Sequence, residues 1–541
     1  MKKFNFKIFI FSLPFFLLSC NSLKQPKQIF EPLDYSETEV VENEIKRIQE
    51  LKEEKPIFAL WKSFLLKDLN NQIFDELCDF VLQKMDEAVS KKDYYMAVKY
   101  FKSLESVKCP KIEKINTSLQ ILEHEYLKDV PGLKTNKDFL PKNMNDCLNA
   151  TVTVWVDKGI KIEHGSGFAD RVIGSGFFID ERGYIVTNHH VISDVVDKKN
   201  EKFSRLYVKL IRDNETRIPC KVVGYDEILD IALLKVEITP PFILELGSSK
   251  DLSLGDKISA IGTPLGLHGT LTSGIVSSVD RKLFTMGNVF QIDAAVNSGN
   301  SGGPCIDSEM KVQAIVFAGI MQYQGLNFAI PVEYLRQDLP FLYHGGRRVH
   351  AWTGSFGHTK KEGLKDTGLE VQYVLPGGVS NLSGLKKGDT ITFVDSKRVT
   401  TIEEMQSVLR NYDNETILPI NYIRDGKNNS STLYLAERPE QPGYEIYNSD
   451  LLCYTFIPLF GMELVSSSSI SKRTYSISQI IKGSAADESG FSVTDPIYVS
   501  QVNFSPKNDA ISVTISTRRK KKGYLDITMN LVSALDSPYY F

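Results

Sequence analysis

The stretch IDAAVNSGNSGGPCID, residues 292–307, limits the fold more than any other part of the sequence. It places small or turn-forming residues, Ser298 to Gly303, between an apolar run and a proline. Because glycine loses more conformational entropy on folding than any other residue, such a run indicates a backbone that must turn sharply or lie close to another group. The stretch therefore predicts a tight turn that presents one serine, Ser301.

Short β-rich runs surround this turn. Between Cys147 and Pro331 the sequence contains runs such as ATVTVWV, DIALLKV and VQAIVFAGI, separated by Gly, Asp, Asn and Pro. About a dozen short strands at this spacing are typical of two small antiparallel barrels packed together. The first long helical pattern after them is PVEYLRQDL.

The N-terminal third of the chain has a helical pattern instead. Apolar residues recur at helical spacing from Ile73 to Val89, and KKDYYMAVKYFKSLE resembles the second helix of a tetratricopeptide unit. A generic helical hairpin explains the same pattern. Since 541 residues exceed one compact domain, we expect this helical segment to be separate from the β-rich part.

The first residues of the chain resemble an export signal. Lys2 and Lys3 precede the apolar run FNFKIFIFSLPFFLL, which is too short to span a bilayer comfortably and is interrupted by Pro14. The run ends at LLSC, which resembles a bacterial lipoprotein box in which Cys20 is acylated. The alternative is an ordinary cleaved signal with a chance cysteine. The first interpretation predicts a protein of the bacterial cell envelope, on the periplasmic side, anchored to a membrane by lipid.

Charge and cysteine usage exclude several other classes of function. With 64 basic and 67 acidic residues, the chain has no basic excess that would predict a nucleic-acid partner. The six cysteines besides Cys20 form no CxxC pair and no metal-ligand spacing, so we expect no metal and no cofactor. Cys78 and Cys109 are candidates for a disulfide, and buried free thiols are the alternative.

Three short motifs supply the groups that would activate the serine. A serine hydroxyl is a poor nucleophile at neutral pH, so an imidazole must take its proton and a carboxylate must hold that imidazole in the right tautomer. TNHHV offers His190, DEILDIALLK offers Asp230, and GNSGGP offers Ser301. A tight turn through Gly299 would aim the backbone N–H groups of Gly299 and Ser301 at a common point, where an oxyanion would form.

The order of these motifs resembles that of the HtrA (Deg) family of chymotrypsin-like serine proteases. The matching stretches include GSGFFIDERGYIVTNHHVI, GDKISAIGTPLG, TSGIVSSVDR and GLNFAIP, in family order over residues 174–331. The resemblance implies a Ser-His-Asp endopeptidase that cleaves unfolded polypeptides after small or medium aliphatic residues. It also implies homotrimers or multiples of trimers.

The family pattern decides between neighbouring candidates. The pattern T-N-x-H-V makes His190 the base and His189 a variable position, and Asp226 is interpreted as a turn residue before Asp230. Other histidines, including His268, are expected in loops. Two positions depart from the family: Cys305 replaces an aliphatic residue, and Ala314 replaces a glycine near the specificity pocket. The preference of that pocket therefore stays open.

Beyond the protease, the sequence resembles a bacterial PDZ domain. AWTGSFGHT and SGLKKGDTITFVD carry the resemblance, which implies binding of free C-terminal peptides as an added strand. The peptide-binding loop would be Trp352-Thr353-Gly354, with Thr353 in place of the usual leucine. IIKGSAADESGFSVTDPI repeats part of the pattern and predicts a degenerate second copy, either structural or ligand-binding.

We therefore expect a multidomain chain with a helical segment, a double β-barrel and one or two PDZ-like α+β domains. The expected parts are a signal peptide (1–20), a tether (21–35), a helical domain (36–126), a linker (127–146), a protease domain (147–345), a PDZ domain (346–436), a linker (437–449) and a degenerate PDZ-like domain (450–541). The expected function is an ATP-independent envelope protease. The alternative is a weakly active or inactive protease-fold scaffold that recruits envelope partners.

Overall fold

The structure is a computed structural model that describes residues 30–114, 117–163, 165–197, 204–263, 269–284, 286–297, 299–319, 326–466, 474–505, 509–521 and 523–541. The expected signal peptide with Cys20 and the loop residue His268 lie outside these ranges. The chain divides into two compact units. One comprises Glu31–Pro442 together with Asp536–Phe541, and the other comprises Gly443–Leu535.

The first part of the larger unit is helical, as predicted. Its helices are α1 (Thr38–Leu51), α2 (Pro56–Leu65), α3 (Asn71–Ser90), α4 (Tyr94–Ser106) and α5 (Leu119–Leu127). Asn70 and Asp93 cap the N-termini of α3 and α4, where their side chains accept backbone N–H groups that have no partner inside the helix. The predicted apolar stripe of α3 lies in the core, with Leu77, Val81 and Met85 fully buried.

The following strands form the first barrel of the protease part. After α6 (Met144–Asn149) come β1 (Thr151–Glu163), β2 (Ser166–Asp180), β3 (Tyr184–Thr187), α7 (His189–Val196), β4 (Arg205–Leu210), β5 (Asp213–Asp226) and β6 (Ile231–Val236). The strand order is β5-β4-β1-β2-β3-β6, and β5 also pairs with β6, which closes the ring. Valines and isoleucines that alternate along the strands fill its interior, as the period of two requires.

The second barrel carries the serine turn. Its elements are β7 (Lys257–Gly262), β8 (Thr270–Phe284), β9 (Gly287–Ile292), β10 (Pro304–Ile306), β11 (Val312–Gly319), β12 (Asn327–Pro331) and α8 (Val332–His344). The six strands close in the order β10-β11-β12-β9-β8-β7. The prediction of two small antiparallel barrels is confirmed.

A smaller sheet with two short helices follows the protease part. After β13 (Gly346–Arg347), which pairs with β5 of the first barrel, this part contains β14 (Ala351–Trp352), β15 (Ser355–Glu362), β16 (Lys365–Val374), α9 (Val379–Leu382), β17 (Thr390–Val394), β18 (Lys397–Arg398), α10 (Ile402–Arg410), β19 (Ile417–Arg424), β20 (Lys427–Tyr434) and β21 (Ala436–Glu437). Strands β14 and β21 pair with each other. The main sheet has the order β15-β16-β17-β19-β20, so β15 is an edge strand. This PDZ-like architecture agrees with the expected fold class.

The second compact unit, Gly443–Leu535, has its own sheet. Its elements are α11 (Pro442–Ser449), α12 (Leu452–Phe460), β22 (Met462–Ser466), β23 (Thr474–Ile480), α13 (Ala485–Glu488), β24 (Pro496–Ser505), β25 (Ala510–Lys521) and β26 (Gly523–Ala534). The strands pair in sequence order from β22 to β26.

The boundaries of this unit differ from the expected ones. The expected linker 437–449 contains α11. Its proline, Pro442, does not prevent this, because it lies at the first helical position, where proline is compatible with a helix. The expected domain 450–541 loses its last six residues, since Asp536–Phe541 belong to the larger unit. Backbone pairing with β15 holds them there.

The described cysteines are free, and no described helix is long and apolar enough to cross a membrane. Cys78 on α3 and Cys109 after α4 are both buried and lie within hydrogen-bonding reach of each other. Cys78 and Cys109 are therefore neighbours, as a disulfide would require, although both are free thiols in this structure.

Candidate active site

His190 and Asp230 meet on the first barrel. His190 lies in the first turn of α7, directly after β3, and Asp230 lies in the turn between β5 and β6. The His190 ring nitrogen Nδ1 is 2.7 Å from Asp230 Oδ2, and the His190 backbone N–H donates to Asp230 Oδ1 at 2.7 Å. One carboxylate thus fixes both the ring and the backbone of the same histidine.

The backbone around Asp230 is held by its neighbours. Asp230 has a left-handed φ of 55°, a conformation that costs free energy in a residue with a side chain. The Asn188 side chain donates to the Asp230 carbonyl at 2.8 Å. Asp226 caps the same turn, because its Oδ1 accepts the backbone N–H groups of Ile228 and Leu229.

Asp226 also makes a buried ion pair. Its Oδ2 lies 2.7 Å from His350 Nε2, and both side chains are almost completely inaccessible to solvent. Burial alone would raise the pKa of Asp226, but the charge and hydrogen bond of His350 hold that pKa well below its usual range. A residue just before the PDZ-like sheet therefore anchors the turn that carries Asp230.

Ser301 lies in the turn between β9 and β10, which residues of both barrels hold in place. The Ser301 carbonyl accepts the backbone N–H of Ser175 at 2.8 Å. The Ser175 hydroxyl donates to the Gly299 carbonyl at 2.7 Å and accepts the Thr263 backbone N–H at 2.9 Å. Ser175 belongs to β2, so a strand of the first barrel fixes the serine turn of the second.

The glycines after Ser301 are needed for this close approach. Gly302 has a φ of 83°, and a Cβ there would lie 2.3 Å from the Ser175 carbonyl oxygen. A Cβ on Gly303 would lie 2.1 Å from the Ile261 carbonyl oxygen. Gly299 also has a positive φ, 101°. A larger residue at Gly302 would therefore push the two barrels apart at the serine, and one at Gly303 would clash with β7 inside the second barrel.

The Ser301 hydroxyl donates to a backbone carbonyl in this structure. Its partner is the Phe317 oxygen on β11, at 3.1 Å. The Phe317 ring meets the His190 ring edge-to-face, with centroids 6.3 Å apart. Phe317 therefore contacts Ser301 through its carbonyl oxygen and His190 through its ring.

The neighbouring histidine has a different environment. The His189 ring stacks on Tyr225, with centroids 5.2 Å apart, and burial lowers its pKa. The His190 side chain is 46% exposed, so a substrate can reach its ring. The geometry accordingly places His190, rather than His189, on the Asp230 carboxylate.

The two departures from the family pattern both lie in the core. Cys305 on β10 and Ala314 on β11 are paired across the strands and have no exposed surface. They belong to the apolar cluster inside the second barrel, where burial raises the pKa of the Cys305 thiol to about 12. Cys305 thus acts as a small apolar residue.

Among the residues that the structure describes, no group of His, Cys, Asp and Glu could hold a metal ion. Sequence reasoning did not single out Ser175, Phe317 or His350. Ser175 lies within the motif GSGFFI, but its contacts with Gly299 and Thr263 join distant segments that no local pattern links.

Four family models match parts of the chain. A trypsin-like peptidase domain matches residues 174–315, and a PDZ domain matches residues 350–420. A TP0546 family PDZ domain matches residues 443–535, and a domain of unknown function, DUF8517, matches residues 39–126.

Curated relatives align with about half of the chain. A probable periplasmic serine endoprotease DegP-like of Bartonella henselae is 34% identical over 49% of this chain and 54% of its own length. One of Halomonas elongata with the same description is 32% identical over 50% of this chain and 57% of its own length. The chain thus spans little more than half the length of these relatives.

A solved HtrA-type protease, AlgW with a decapeptide, is 25% identical, with a TM-score of 0.45 over 54% of this chain and 96% of that one. On the family models and the curated relatives, this chain is similar to DegP-like serine endoproteases and contains a trypsin-like peptidase domain followed by PDZ domains.

Proposed function

We propose that this chain is an ATP-independent serine endopeptidase of the bacterial cell envelope that cuts unfolded or misfolded polypeptides. One observation carries the proposal: Asp230 binds His190 through both carboxylate oxygens, at 2.7 Å each, beside a serine turn that residues of both barrels hold. Similarity to relatives described as periplasmic serine endoproteases supports the endopeptidase activity and the compartment.

The proposed reaction proceeds through an acyl-enzyme. Ser301 Oγ attacks the scissile carbonyl while His190 Nε2 takes its proton, and Asp230 stabilises the imidazolium that forms. The backbone N–H groups of Gly299 and Ser301 bind the oxyanion of the tetrahedral intermediate. His190 then gives its proton to the leaving amine, and water hydrolyses the ester in a second round of the same steps.

The first step requires a movement of the serine side chain. The Ser301 hydroxyl must leave the Phe317 carbonyl, which it contacts at 3.1 Å, and point towards His190 Nε2. The proposed movement is a rotation of the hydroxyl about the Cα–Cβ bond of Ser301. The same hydrogen bond favours a second candidate, a protein that keeps the protease fold and cuts little.

Three further features belong to the proposal. The PDZ loop Trp352-Thr353-Gly354 receives the end of an extended peptide, as PDZ domains do by strand addition. Acylation of Cys20 anchors the protein to a membrane on the periplasmic side. The protease parts assemble as trimers or multiples of trimers, as the HtrA resemblance implies.

The test uses a soluble form without residues 1–20, incubated with an unfolded protein such as reduced casein, with cleavage sites mapped by mass spectrometry. The expected result is cleavage after small or medium aliphatic residues. Ser301→Ala should remove it while circular dichroism stays unchanged. If wild type and Ser301→Ala leave the casein equally intact, the second candidate is correct.

The anchor is tested separately. Cys20→Ala should move the full-length protein from the membrane fraction to the soluble fraction and abolish labelling by fatty acid. An unchanged membrane fraction would show that Cys20 is not the anchor.

A further inference from the structure

The last residues of the sequence form an added strand on the PDZ sheet. We call residues Asp536–Phe541 the tail segment. The Ser355 N–H donates to the Phe541 carbonyl at 3.0 Å, and the Phe541 N–H donates to the Ser355 carbonyl at 3.0 Å. The Gly357 N–H donates to the Tyr539 carbonyl at 3.2 Å. Because β15 is an edge strand, these bonds use the backbone groups that strand addition by a peptide would use.

Aromatic side chains of the tail segment fill the groove beside this strand. Phe541 is 1% exposed and belongs to the apolar core of the PDZ domain. A Cβ on Gly357 would lie 2.3 Å from the Glu370 carbonyl oxygen and 3.2 Å from the Phe541 ring, so the glycine is required first by the pairing with β16 and also leaves room for the ring. The Tyr539 ring lies against the His358 ring, with centroids 3.9 Å apart.

Buried polar side chains bind the tail backbone. The Thr353 hydroxyl, in the expected peptide-binding loop, donates to the Phe541 carbonyl at 2.6 Å. Arg438, whose side chain is 2% exposed, donates to the Tyr540 carbonyl at 3.2 Å and pairs with the Asp536 carboxylate at 2.6 Å. The Gln406 amide donates to the Pro538 carbonyl. A hydroxyl and a guanidinium buried this deeply would be costly without such partners.

We infer that the resident ligand of this PDZ groove is the chain's own tail segment, and that the groove is specific for peptides that carry its aromatic triplet, Tyr539-Tyr540-Phe541. An outside peptide of the same class binds only by displacing the tail segment. Because the tail segment belongs to the same chain, its competition with an outside peptide is intramolecular and does not depend on protein concentration. The inference goes beyond the proposed proteolysis and does not depend on it.

The contacts of the tail segment explain why threonine, and not the usual leucine, stands at position 353. A leucine at this position has no donor, whereas the Thr353 hydroxyl gives the tail carbonyl a hydrogen bond in a fully buried site. Thr353→Val keeps the shape and removes the hydroxyl. It should weaken peptide binding by about tenfold, as the loss of one buried hydrogen bond does.

The first experiment measures hydrogen exchange by mass spectrometry in the full chain with Ser301→Ala, so that no peptide bond is cut. The amides of Ser355 and Gly357, which donate to the tail segment, should be protected in this protein and should exchange at least about tenfold faster when Phe541→Asp is added, since the opened groove leaves these N–H groups to water. Tyr498→Asp, at an exposed aromatic of β24, is the matched control and should leave the protection unchanged. Equal protection with and without Phe541→Asp would overturn the inference.

The second experiment adds a fluorescent peptide, DSPYYF, to the same proteins and measures anisotropy. The peptide should bind Phe541→Asp and should bind the unsubstituted tail protein at least about tenfold more weakly, because the tail segment competes within the chain. A peptide with aspartate in place of its last phenylalanine should not bind either protein.

Two results would contradict the claim that the tail segment occupies the groove. Equal affinity of DSPYYF for both proteins would mean that the tail segment does not occupy the groove in solution. Failure of DSPYYF to bind Phe541→Asp would mean that the groove takes another ligand. Because Phe541→Asp could unfold the domain, Phe541→Leu is measured beside it and should give intermediate protection and intermediate affinity. No readout requires proteolysis, so a failure here is distinct from a failure of the proposed function.

Discussion

Asp230 accepts two hydrogen bonds from His190, one from the ring at Nδ1 and one from the backbone N–H, each 2.7 Å long. The ring bond sets the tautomer, so that Nε2 is free to accept a proton from a nucleophile. The backbone bond fixes the start of α7 relative to the turn before β6. Loss of the carboxylate would therefore affect both the tautomer of the ring and the position of the start of α7.

Asp230→Asn is expected to lower kcat by on the order of 10⁴-fold, because an amide can keep the backbone hydrogen bond but stabilises the wrong ring tautomer. Hydrolysis of an unfolded protein or of a peptide drawn from its cleavage sites provides the measurement. Glu227→Gln is the matched control, since Glu227 is an exposed carboxylate in the same turn. Equal activity of Asp230→Asn and Glu227→Gln would exclude Asp230 from the mechanism.

Ser175→Ala tests the link between the two barrels. The substitution removes the donor to the Gly299 carbonyl and leaves the buried Thr263 N–H without its acceptor. We expect a loss of about 1–3 kcal/mol in the free energy of unfolding of the protease part. We also expect a fall in kcat larger than any rise in KM, since the turn positions the nucleophile.

Ser273→Ala, at an exposed position of β8 in the second barrel, provides the comparison for Ser175→Ala. It should change neither stability nor kcat measurably. If both serine variants behave alike, Ser175 has no special part in holding the turn.

The catalytic motifs could be predicted from sequence because each is local. TNHHV, DEILDIALLK and GNSGGP each carry a required side chain within a few residues of its own turn signal. The contacts of Ser175 with Gly299 and of Asp226 with His350 could not be predicted, since they span more than a hundred residues and no local periodicity encodes them. The strand addition of Phe541 to Ser355 uses backbone atoms, so no side-chain pattern predicts it.

A double-mutant cycle tests the buried pair of Asp226 and His350. His350→Gln alone removes the charged partner of a buried carboxylate, which keeps only its bonds to the Ile228 and Leu229 N–H groups, and should cost up to about 3–5 kcal/mol in the unfolding transition of the protease part. Asp226→Asn with His350→Gln should cost less than the sum of the two single variants, because two neutral amides leave no unpaired charge. Additive costs, measured by denaturant unfolding, would show that the pair is not coupled.

His358 gives the stability of the PDZ domain a pH dependence. Burial lowers the pKa of His358 to about 4 in the folded chain, against about 6.5 for a free histidine. Between about pH 6.5 and pH 4, His358 takes up a proton in the unfolded chain but not in the folded chain. The free energy of unfolding therefore falls as the pH is lowered through this range. His358→Phe keeps a ring against Tyr539 and removes the titration.

The measurement is the thermal midpoint of wild type and of His358→Phe at several pH values. The thermal midpoint of His358→Phe should exceed that of wild type by a small amount at neutral pH, and this difference should grow as the pH is lowered from about 6.5 towards 4. A constant difference between the two proteins at all pH values would contradict the role assigned to His358.

The most direct test of the account as a whole is the hydrolysis rate of Ser301→Ala. We expect Ser301→Ala to lower kcat on the order of 10⁶-fold. Adding His190→Ala should lower kcat little further, because nucleophile and base act as a unit. His189→Ala, whose ring stacks on Tyr225, should keep most of the activity. If Ser301→Ala, with an unchanged circular dichroism spectrum, cuts unfolded protein at the wild-type rate, Ser301 is not the nucleophile and the serine endopeptidase account is wrong.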